Sequence, residues 1–348
     1  MVEAYDGGPV AALRRIGFLL ERGREETYKV KAYRNAAAAI LPLGDDEVRA
    51  RVEAGTIQEI PGVGASTAKV IAAASRGELP ERLQVLEDEH GGPLTEGGQA
   101  VWEALRGDLH SHSDWSDGGS PIEEMAFTAM ELGHEYQVLT DHSPRLTVAN
   151  GLSVERLRKQ LGVVDAVNEH LAQRDGGFTL LKGIEVDILD DGSLDQTDEM
   201  LDRLDVRVAS VHSKLKMDRA DMTKRMVMAV RNPRVNVLGH CTGRMVMGAR
   251  GTRAQSQFDA RRVFTEAAKH DTAIEINSRP ERRDPPTDLL ELARDLGCLF
   301  SIDSDAHAPG QLDFLWYGAE RAEAAGIDPD RIVNTWPQDR LLAWANPG

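Results

Sequence analysis

From residue 107 onward the chain repeats one pattern seven times, a short apolar run followed by a stretch with helical spacing. The runs are LHSH, EYQVLTD, FTLLKGIEV, VRVASVH, VNVLGH, TAIEINS and CLFSIDSD, with helical patterns such as 153–170 and 258–270 between them. Parallel neighbours need a long crossover, and a helix is the usual one. The rhythm predicts an α/β fold with a seven-stranded parallel sheet, either open or rolled into a barrel. Residues 1–90 have a different texture. Apolar residues recur at helical spacing in VAALRRIGFLLERG, KAYRNAAAAILPL and ASTAKVIAAASRG, which predicts a small all-α domain over 1–92. Residues 93–106 read as a linker, and 107–348 as the second domain.

Composition removes several classes. A chain of 348 residues with 41% hydrophobic content fills a real core, so disorder does not fit. The start, MVEAYDGGPVAALRR, has no basic stretch followed by an apolar segment, and no run approaches a membrane span. Only Cys241 and Cys298 are present, which fits a reducing cytoplasm and no disulfide framework. The net charge of −16 argues against coating nucleic acid by charge alone.

The segment GDLHSHSDWSDG packs two histidines among three acids. Alternate residues of a strand share a face, whereas a helix turns them apart, so HxH reads as two ligands aimed at one point. The other strand ends carry the same chemistry: His142 in LTDHS, Glu185 in GIEVD, His212 in SVHSK, His240 in LGHCTG, and Asp305 with His307 in SDAH. A lone histidine is an ordinary core or surface residue. Six of the ten at equivalent places, with two acids, are not accounted for that way. In an α/β barrel these ends converge on one mouth. Imidazole with carboxylate suits Mn2+, Zn2+ or Fe2+, and the lack of cysteine argues against a closed structural zinc site. Asp141 points away from its neighbour His142 and reads as orienting a ligand or a loop. Arg244 and Arg279 follow strands, where a guanidinium meets either a phosphate or a surface carboxylate. Met217, Met222, Met226 and Met228 lie at helical spacing and read as helix packing.

The motifs DLHSHSDWSDG, LTDHS, VLGHCTGR and SDAH make residues 107–335 resemble the polymerase and histidinol phosphatase (PHP) family of metal-dependent phosphoesterases. The resemblance implies a distorted seven-stranded (β/α)7 TIM-like PHP barrel with two to three divalent ions. It implies His110, His112, Glu185 and Asp305 around one ion, and Glu185, His212 and His240 around a second, with Glu185 bridging. Asp117, His142 and His307 hold the third, Asp117 standing where some relatives carry histidine. It also implies hydrolysis of a phosphate ester by a metal-held hydroxide. Glu185 and Arg244 are the catalytic candidates. An aminohydrolase would need a ligating modified lysine, and Lys182 and Lys214 only flank ligands.

In IQEIPGVGASTAKVIAAASRGELPERLQVL, glycines on both sides of Val63 permit a tight hairpin, and the next helix offers backbone N–H groups to an anion. Together with LLERGREETYKVKAYRNAAAAI, this helix-hairpin-helix resembles the small N-terminal domain of family X DNA polymerases, over about residues 8–90. Bacterial members carry a PHP domain at their C-terminus. The resemblance implies DNA binding through Gly62, Gly64, Ala65 and Ser66, with Arg22, Arg24, Lys29, Lys31 and Arg34 as further candidates. In those polymerases a catalytic palm separates the two domains. The gap here, residues 91–106, is too short for a domain, so no polymerase activity is expected. Val70 stands where related lyases carry lysine, and Lys69 faces elsewhere. Residues 1–90 hold 12 Lys and Arg against 15 Asp and Glu, so any grip on DNA is local.

Three readings follow. The favoured one is a phosphoesterase acting on DNA ends, a 3′-5′ exonuclease or 3′-phosphatase of DNA repair. The second is a small-molecule phosphomonoesterase of histidinol-phosphatase type, which the net charge favours. The third is a non-catalytic DNA-binding repair scaffold. Burying so many histidines and carboxylates without metal is costly, which disfavours the third.

Overall fold

The computed structural model describes residues 3–173, 177–248 and 251–347 and divides into two compact units, Met1–Leu94 and Thr95–Gly348. The first consists of α1 (Gly8–Arg22), α2 (Thr27–Ile40), α3 (Gly44–Glu53), α4 (Ala65–Ser75) and α5 (Glu81–His90). Helix α1 carries Leu13, Ile16, Leu19 and Leu20 at helical spacing, all fully buried. That stripe packs α1 against α2, α4 and α5. Proline in the first turn of α1 gives up an N–H that has no helical partner there.

The second unit begins within the segment read as a linker. Helix α6 (Gln99–Ala104) forms there and packs on α13 (Leu315–Ala324), because Trp102 stacks on Trp316 with ring centres 4.4 Å apart. Seven parallel strands follow in sheet order 1 to 7: β1 (Gly107–Ser111), β2 (Tyr136–Leu139), β3 (Thr179–Asp187), β4 (Val206–Ser210), β5 (Val237–Leu238), β6 (Ala273–Asn277) and β7 (Phe300–Asp303). Crossover helices are α7 (Ile122–Glu131), α8 (Val154–Leu171), α9 (Asp198–Leu201), α10 (Arg219–Val230), α11 (Ala260–Lys269) and α12 (Thr287–Asp295). Helix α14 (Gln338–Ala345) closes the chain. The α/β barrel preceded by an all-helical module is thus present as the sequence predicts.

Alternation along the strands divides their apolar side chains among separate clusters. Leu109, Tyr136, Val138, Val206, Val208, Val237 and Ala273 form one, closed by Val333, Trp336 and Leu341. Ile184, Val186, Ala209, Leu238, Ile274, Ile276 and Ile302 pack with the crossover helices, and Met222 and Met226 are wholly buried among them. The methionines read as helix packing are therefore divided, since Met228 on the same helix is about half exposed.

Between β1 and β7 side chains replace most of the ladder. One parallel bridge joins Ser111 to Ala306. The Leu109 N–H donates to Asp303 Oδ1 at 3.1 Å, and the Ser304 N–H donates to Asp108 Oδ1 at 3.2 Å. Buried Asn334 spans the seam below them. Its amide donates to the carbonyls of Gly107 (3.0 Å) and Ile302 (2.5 Å), and its oxygen accepts from the Ile302 N–H at 3.0 Å. Asn334→Ala should therefore lower stability by about 3 kcal/mol, since it strands buried backbone groups at a cost of roughly 1–3 kcal/mol each. The measurement is the urea midpoint at unchanged slope; an unshifted midpoint would show that the seam closes without this side chain.

Candidate metal centre

Each barrel strand from β1 to β5 delivers a group to one point. His110 lies in β1 and His112 follows it, His142 follows β2, Glu185 lies in β3, His212 follows β4 and His240 follows β5. Glu185 is buried and meets all five imidazoles. Its Oε2 lies 2.8 Å from His142 Nδ1, 3.3 Å from His110 Nε2 and 3.6 Å from His112 Nε2. Its Oε1 lies 2.9 Å from His240 Nε2 and 3.2 Å from His212 Nε2. Beside this group, Asp305 Oδ1 is 3.4 Å from His112 Nε2 and 4.0 Å from His110 Nε2. Asp117 Oδ1 is 3.5 Å from His142 Nε2 and 3.4 Å from His307 Nε2. All nine residues singled out in the sequence as ligands are thus brought together.

Their grouping differs in detail from that implied by the family resemblance. Three sets of convergent ligand atoms occur: His110, His112 and Asp305; His142, Glu185 and His212; and His112, Asp117, His142 and His307. His112 and His142 each belong to two sets, while His240 joins through Glu185. Backbone strain marks two of the strand ends, with φ at 50° for Asp305 and 20° for His240. His110 Nε2, both His112 nitrogens, His142 Nδ1, Glu185 Oε2, His212 Nε2 and His240 Nδ1 are buried without a hydrogen bond. Buried polar atoms are ordinarily satisfied, so this convergence of unsatisfied lone pairs fits a multinuclear divalent-metal site.

Residues the sequence reading passed over fix the orientation of these rings. His110 Nδ1–H donates to Glu275 Oε1 at 2.5 Å, and His212 Nδ1–H donates to Asp187 Oδ1 at 3.2 Å. Each bond leaves Nε2 with its lone pair toward the cluster. Glu275 Oε2 also accepts from the His240 N–H and from Asn277 at 3.2 Å. The signal for Glu275 was available in AIEIN: alternation puts Glu275 and Asn277 on the face opposite Ile274 and Ile276. Asp141 accepts from the Ser113 N–H, Ser113 Oγ, Ser116 Oγ and Gln160, and so anchors the loop after β1.

Arginines occupy the other side. Arg282 Nε donates to Asp305 Oδ2 at 3.1 Å. Arg279 Nη1 donates to the Asp305 carbonyl at 2.9 Å and lies 3.0 Å from His307 Nδ1. Arg244, a catalytic candidate of the sequence, follows β5. Its Nε and Nη2 donate to the carbonyls of Arg282 and Arg283, where it braces the loop that carries Arg282.

The electrostatics follow from packing. Burial pushes the Glu185 carboxyl up, but His212, His110 and His142 outweigh it and hold the group well below the usual carboxylate range. Burial likewise raises Asp305, and Arg282 and His110 bring it well below. Burial opposes a charge on His110 and His212, yet Glu185 and its neighbours overcome it. His110 is held well above its ordinary value and His212 is raised to about 9. His112 goes the other way, down to about 3, through burial and the charges of His307 and His142.

In the first unit, Gly62 has φ +95°, which a side chain resists, while Gly64 is extended with open space where a Cβ would stand. The Gly64 N–H donates to Thr67 Oγ1 at 2.9 Å, leaving Ala65 and Ser66 in the exposed first turn of α4. Ser66 and Thr67 line a cavity of 290 Å³ with Tyr28, Lys29 and Tyr33 of α2 and Arg82 of α5. Val70 is buried and Lys69 exposed.

The PHP domain family matches residues 108–279, and a helix-hairpin-helix domain family matches residues 9–76. Residues 108–279 thus form a PHP domain. The chain is 38% identical over 230 residues to the DNA polymerase/3′-5′ exonuclease PolX of Bacillus subtilis, covering 66% of this chain and 39% of that one. It thus spans about two fifths of that relative's length. It is 27% identical over 246 residues to the probable phosphatase YcdX of Escherichia coli (strain K12), covering 68% of this chain and 91% of that protein. A solved histidinol phosphate phosphatase of Lactococcus lactis, bound to zinc, L-histidinol and phosphate, superposes with a TM-score of 0.45. The sequence identity is 17%, over 64% of this chain and 92% of that one. None of the described helices of this chain is long and apolar enough to cross a membrane.

Metal uptake by this PHP site should release protons. His212, raised to about 9, is protonated at pH 7.5, and a ligand ring must be neutral. The protonated ring favours the metal-free fold fully below its unfolded value near 6.5, and that contribution is lost as pH rises through about 9. Apparent metal affinity should therefore climb from pH 7 to 9. Titrating Mn2+ calorimetrically at pH 7.5 in buffers of different ionisation enthalpy counts the protons; a buffer-independent heat would contradict the prediction.

Proposed function

We propose that this chain is a metal-dependent phosphoesterase acting on DNA ends, as a 3′-5′ exonuclease or 3′-phosphatase, with the helix-hairpin-helix unit holding the strand. The observation that carries the reading is the contact of one buried carboxylate, Glu185, with five imidazoles, four of which offer ligand atoms to convergent sets. On this reading Glu185 bridges a site of His110, His112 and Asp305 to a site of His212 and His240. Asp117, His142 and His307 form the third. Mn2+, Zn2+ and Fe2+ all suit the donor set. Bound divalent ions supply Lewis acidity toward a phosphoryl oxygen and lower the pKa of bound water.

The chain's own residues set up that chemistry. Glu275 and Asp187 hold protons on the outer nitrogens of His110 and His212, so that the inner nitrogens face the mouth. Arg282 holds Asp305 by its Oδ2, which leaves Oδ1 toward His112 and His110. On the first unit, the open space at Gly64 and the exposed first turn of α4 support backbone N–H donation to a DNA phosphate by Ala65 and Ser66. The net charge of −16 favours the second reading, a small-molecule phosphomonoesterase of histidinol-phosphatase type.

Glu185→Gln should cut turnover more than about 100-fold, beyond the roughly 10–100-fold losses at groups that only orient a ligand. Elemental analysis of the variant should show fewer ions per chain. Near-normal turnover and metal content would refute the bridge. For the hairpin, Gly64→Val is the cleaner probe, because Gly62→Val would also force valine to φ +95°. It should weaken oligonucleotide binding severalfold and leave hydrolysis of a chromogenic phosphate unchanged. Unchanged DNA affinity in a folded variant would move the reading to the small-molecule phosphatase.

A further inference from the structure

Charge is divided unevenly among the loops that leave the strand ends. The loops after β7, β1 and β3 (residues 304–314, 112–121 and 188–197) contain no lysine or arginine and several aspartates. The loops after β4, β5 and β6 (residues 211–218, 239–259 and 278–286) contain eight Lys and Arg, of which Arg250 lies outside the described residues. Strands β4, β5 and β6 are neighbours, so these loops share one sector of the mouth. They are also laced together. The Val246 N–H donates to the Glu281 carbonyl at 2.7 Å, Ser256 Oγ donates to the Leu215 carbonyl at 2.8 Å, and Arg244 braces Arg282 and Arg283.

Four cations of this sector are presented rather than consumed. Arg282 uses only Nε, on Asp305, and its two terminal nitrogens make no hydrogen bond among the described residues. Arg253 uses only Nε, on the Gly243 carbonyl at 2.6 Å. Arg283 and Lys216 are exposed and make no side-chain hydrogen bond among the described residues. Burial and the charge of Arg282 together hold Arg253 below its ordinary value, which places the two guanidiniums within electrostatic reach. Because Arg282 holds Asp305 Oδ2 at 3.1 Å, the row begins beside the metal centre.

We propose that Arg282, Arg253, Arg283 and Lys216 form a cationic track that binds successive phosphates of a single nucleic-acid strand leading away from the metal centre. The inference rests on the phosphoesterase reading and names its substrate class. An isolated phosphomonoester offers one phosphate, which the centre takes, and gains nothing from cations farther out. A strand repeats its phosphates, and each one neutralised releases counterions. Localising the basic residues in one sector lets a chain of net charge −16 hold a polyanion at the mouth.

The test uses the full Mn2+-loaded chain, a labelled single-stranded oligonucleotide and a chromogenic phosphomonoester. The double change Arg253→Gln with Arg283→Gln should raise KM for the oligonucleotide about tenfold and leave kcat and chromogenic turnover unchanged. Fluorescence anisotropy of the same oligonucleotide, which needs no turnover, should show a salt slope shallower by about 1.4, at roughly 0.7 for each lost single-strand contact. The pair Arg253→Lys with Arg283→Lys loses the same Nε bond and should keep the wild-type slope. A wild-type slope and KM in the glutamine pair, with oligonucleotide turnover intact, overturns the track and leaves the phosphoesterase reading standing. A lysine pair as impaired as the glutamine pair also overturns it, since loop geometry rather than charge would be responsible. Turnover of the chromogenic ester without oligonucleotide turnover overturns the track and moves the reading to the small-molecule phosphatase. Loss of both activities in the wild type defeats the phosphoesterase reading, and the anisotropy slopes then decide the track alone.

Discussion

In a flat sheet neighbouring strands lie about 4.8 Å apart, so β1 and β5, four spacings from each other, would be separated by about 19 Å. In this chain His110 on β1 and His240 after β5 have ring centres 5.9 Å apart and touch the same carboxylate. Only a sheet rolled on itself achieves that, so the convergence on Glu185 and the closure of the barrel are one constraint. A carboxylate that is 1% exposed is costly unless paired. Five imidazoles supply the pairing, and each arrives from a strand whose position the barrel sets.

Closure has its own polar cost, visible between β1 and β7. Asp108, Glu275 and Asp303 are buried in the barrel beneath the cluster. Burial raises Asp108 to about 6, and burial with Glu275 and Asp108 holds Asp303 well above the carboxylate range. A protonated carboxyl in that position costs less than a third unpaired charge would. Each acid is tied to the backbone or a neighbour: Asp303 to the Leu109 N–H and Ser301, Asp108 to the His110 and Ser304 N–H groups, Glu275 to His110 and His240. The acids that join the seam therefore also aim the ligand histidines. Below them the interior turns apolar at Val206, Val237 and Ala273, where no ligand has to be fixed.

The strands were legible in the sequence because each ends in a residue out of place in an apolar run. Even β5, only two residues long, is announced by VNVLGH. Glu275 was not read, because AIEIN looks like a plain buried strand until its two faces are separated. Asp187 was hidden for a different reason: its meaning lies in a partner just past the next strand, His212, which no local pattern records. Arg244 is a contrasting case: a motif invited a functional role, and its guanidinium holds the carbonyls of Arg282 and Arg283. Residues 99–104 looked like linker because a six-residue helix has too few positions to show a period, and its stability comes from Trp102 on Trp316. Asn334 carries no sequence signal at all; its role is defined by the two strands it joins.

The first unit shows how far cation counting misleads about a proposed hold on DNA. Of the five cations picked from the sequence, Arg22 donates to the Gly92 carbonyl, Arg34 pairs with Glu21 at 2.8 Å and Lys29 pairs with Glu25 at 2.6 Å. These charges are already engaged within the unit. What the hairpin offers instead is backbone at the start of α4, exposed because Gly64 has no side chain and because its own N–H is satisfied by Thr67. Backbone donors on a helix N-terminus position a phosphate without reading a base. A unit built this way suits a strand end of any sequence, and its weak net charge leaves the long-range attraction of a polyanion to the basic sector of the barrel.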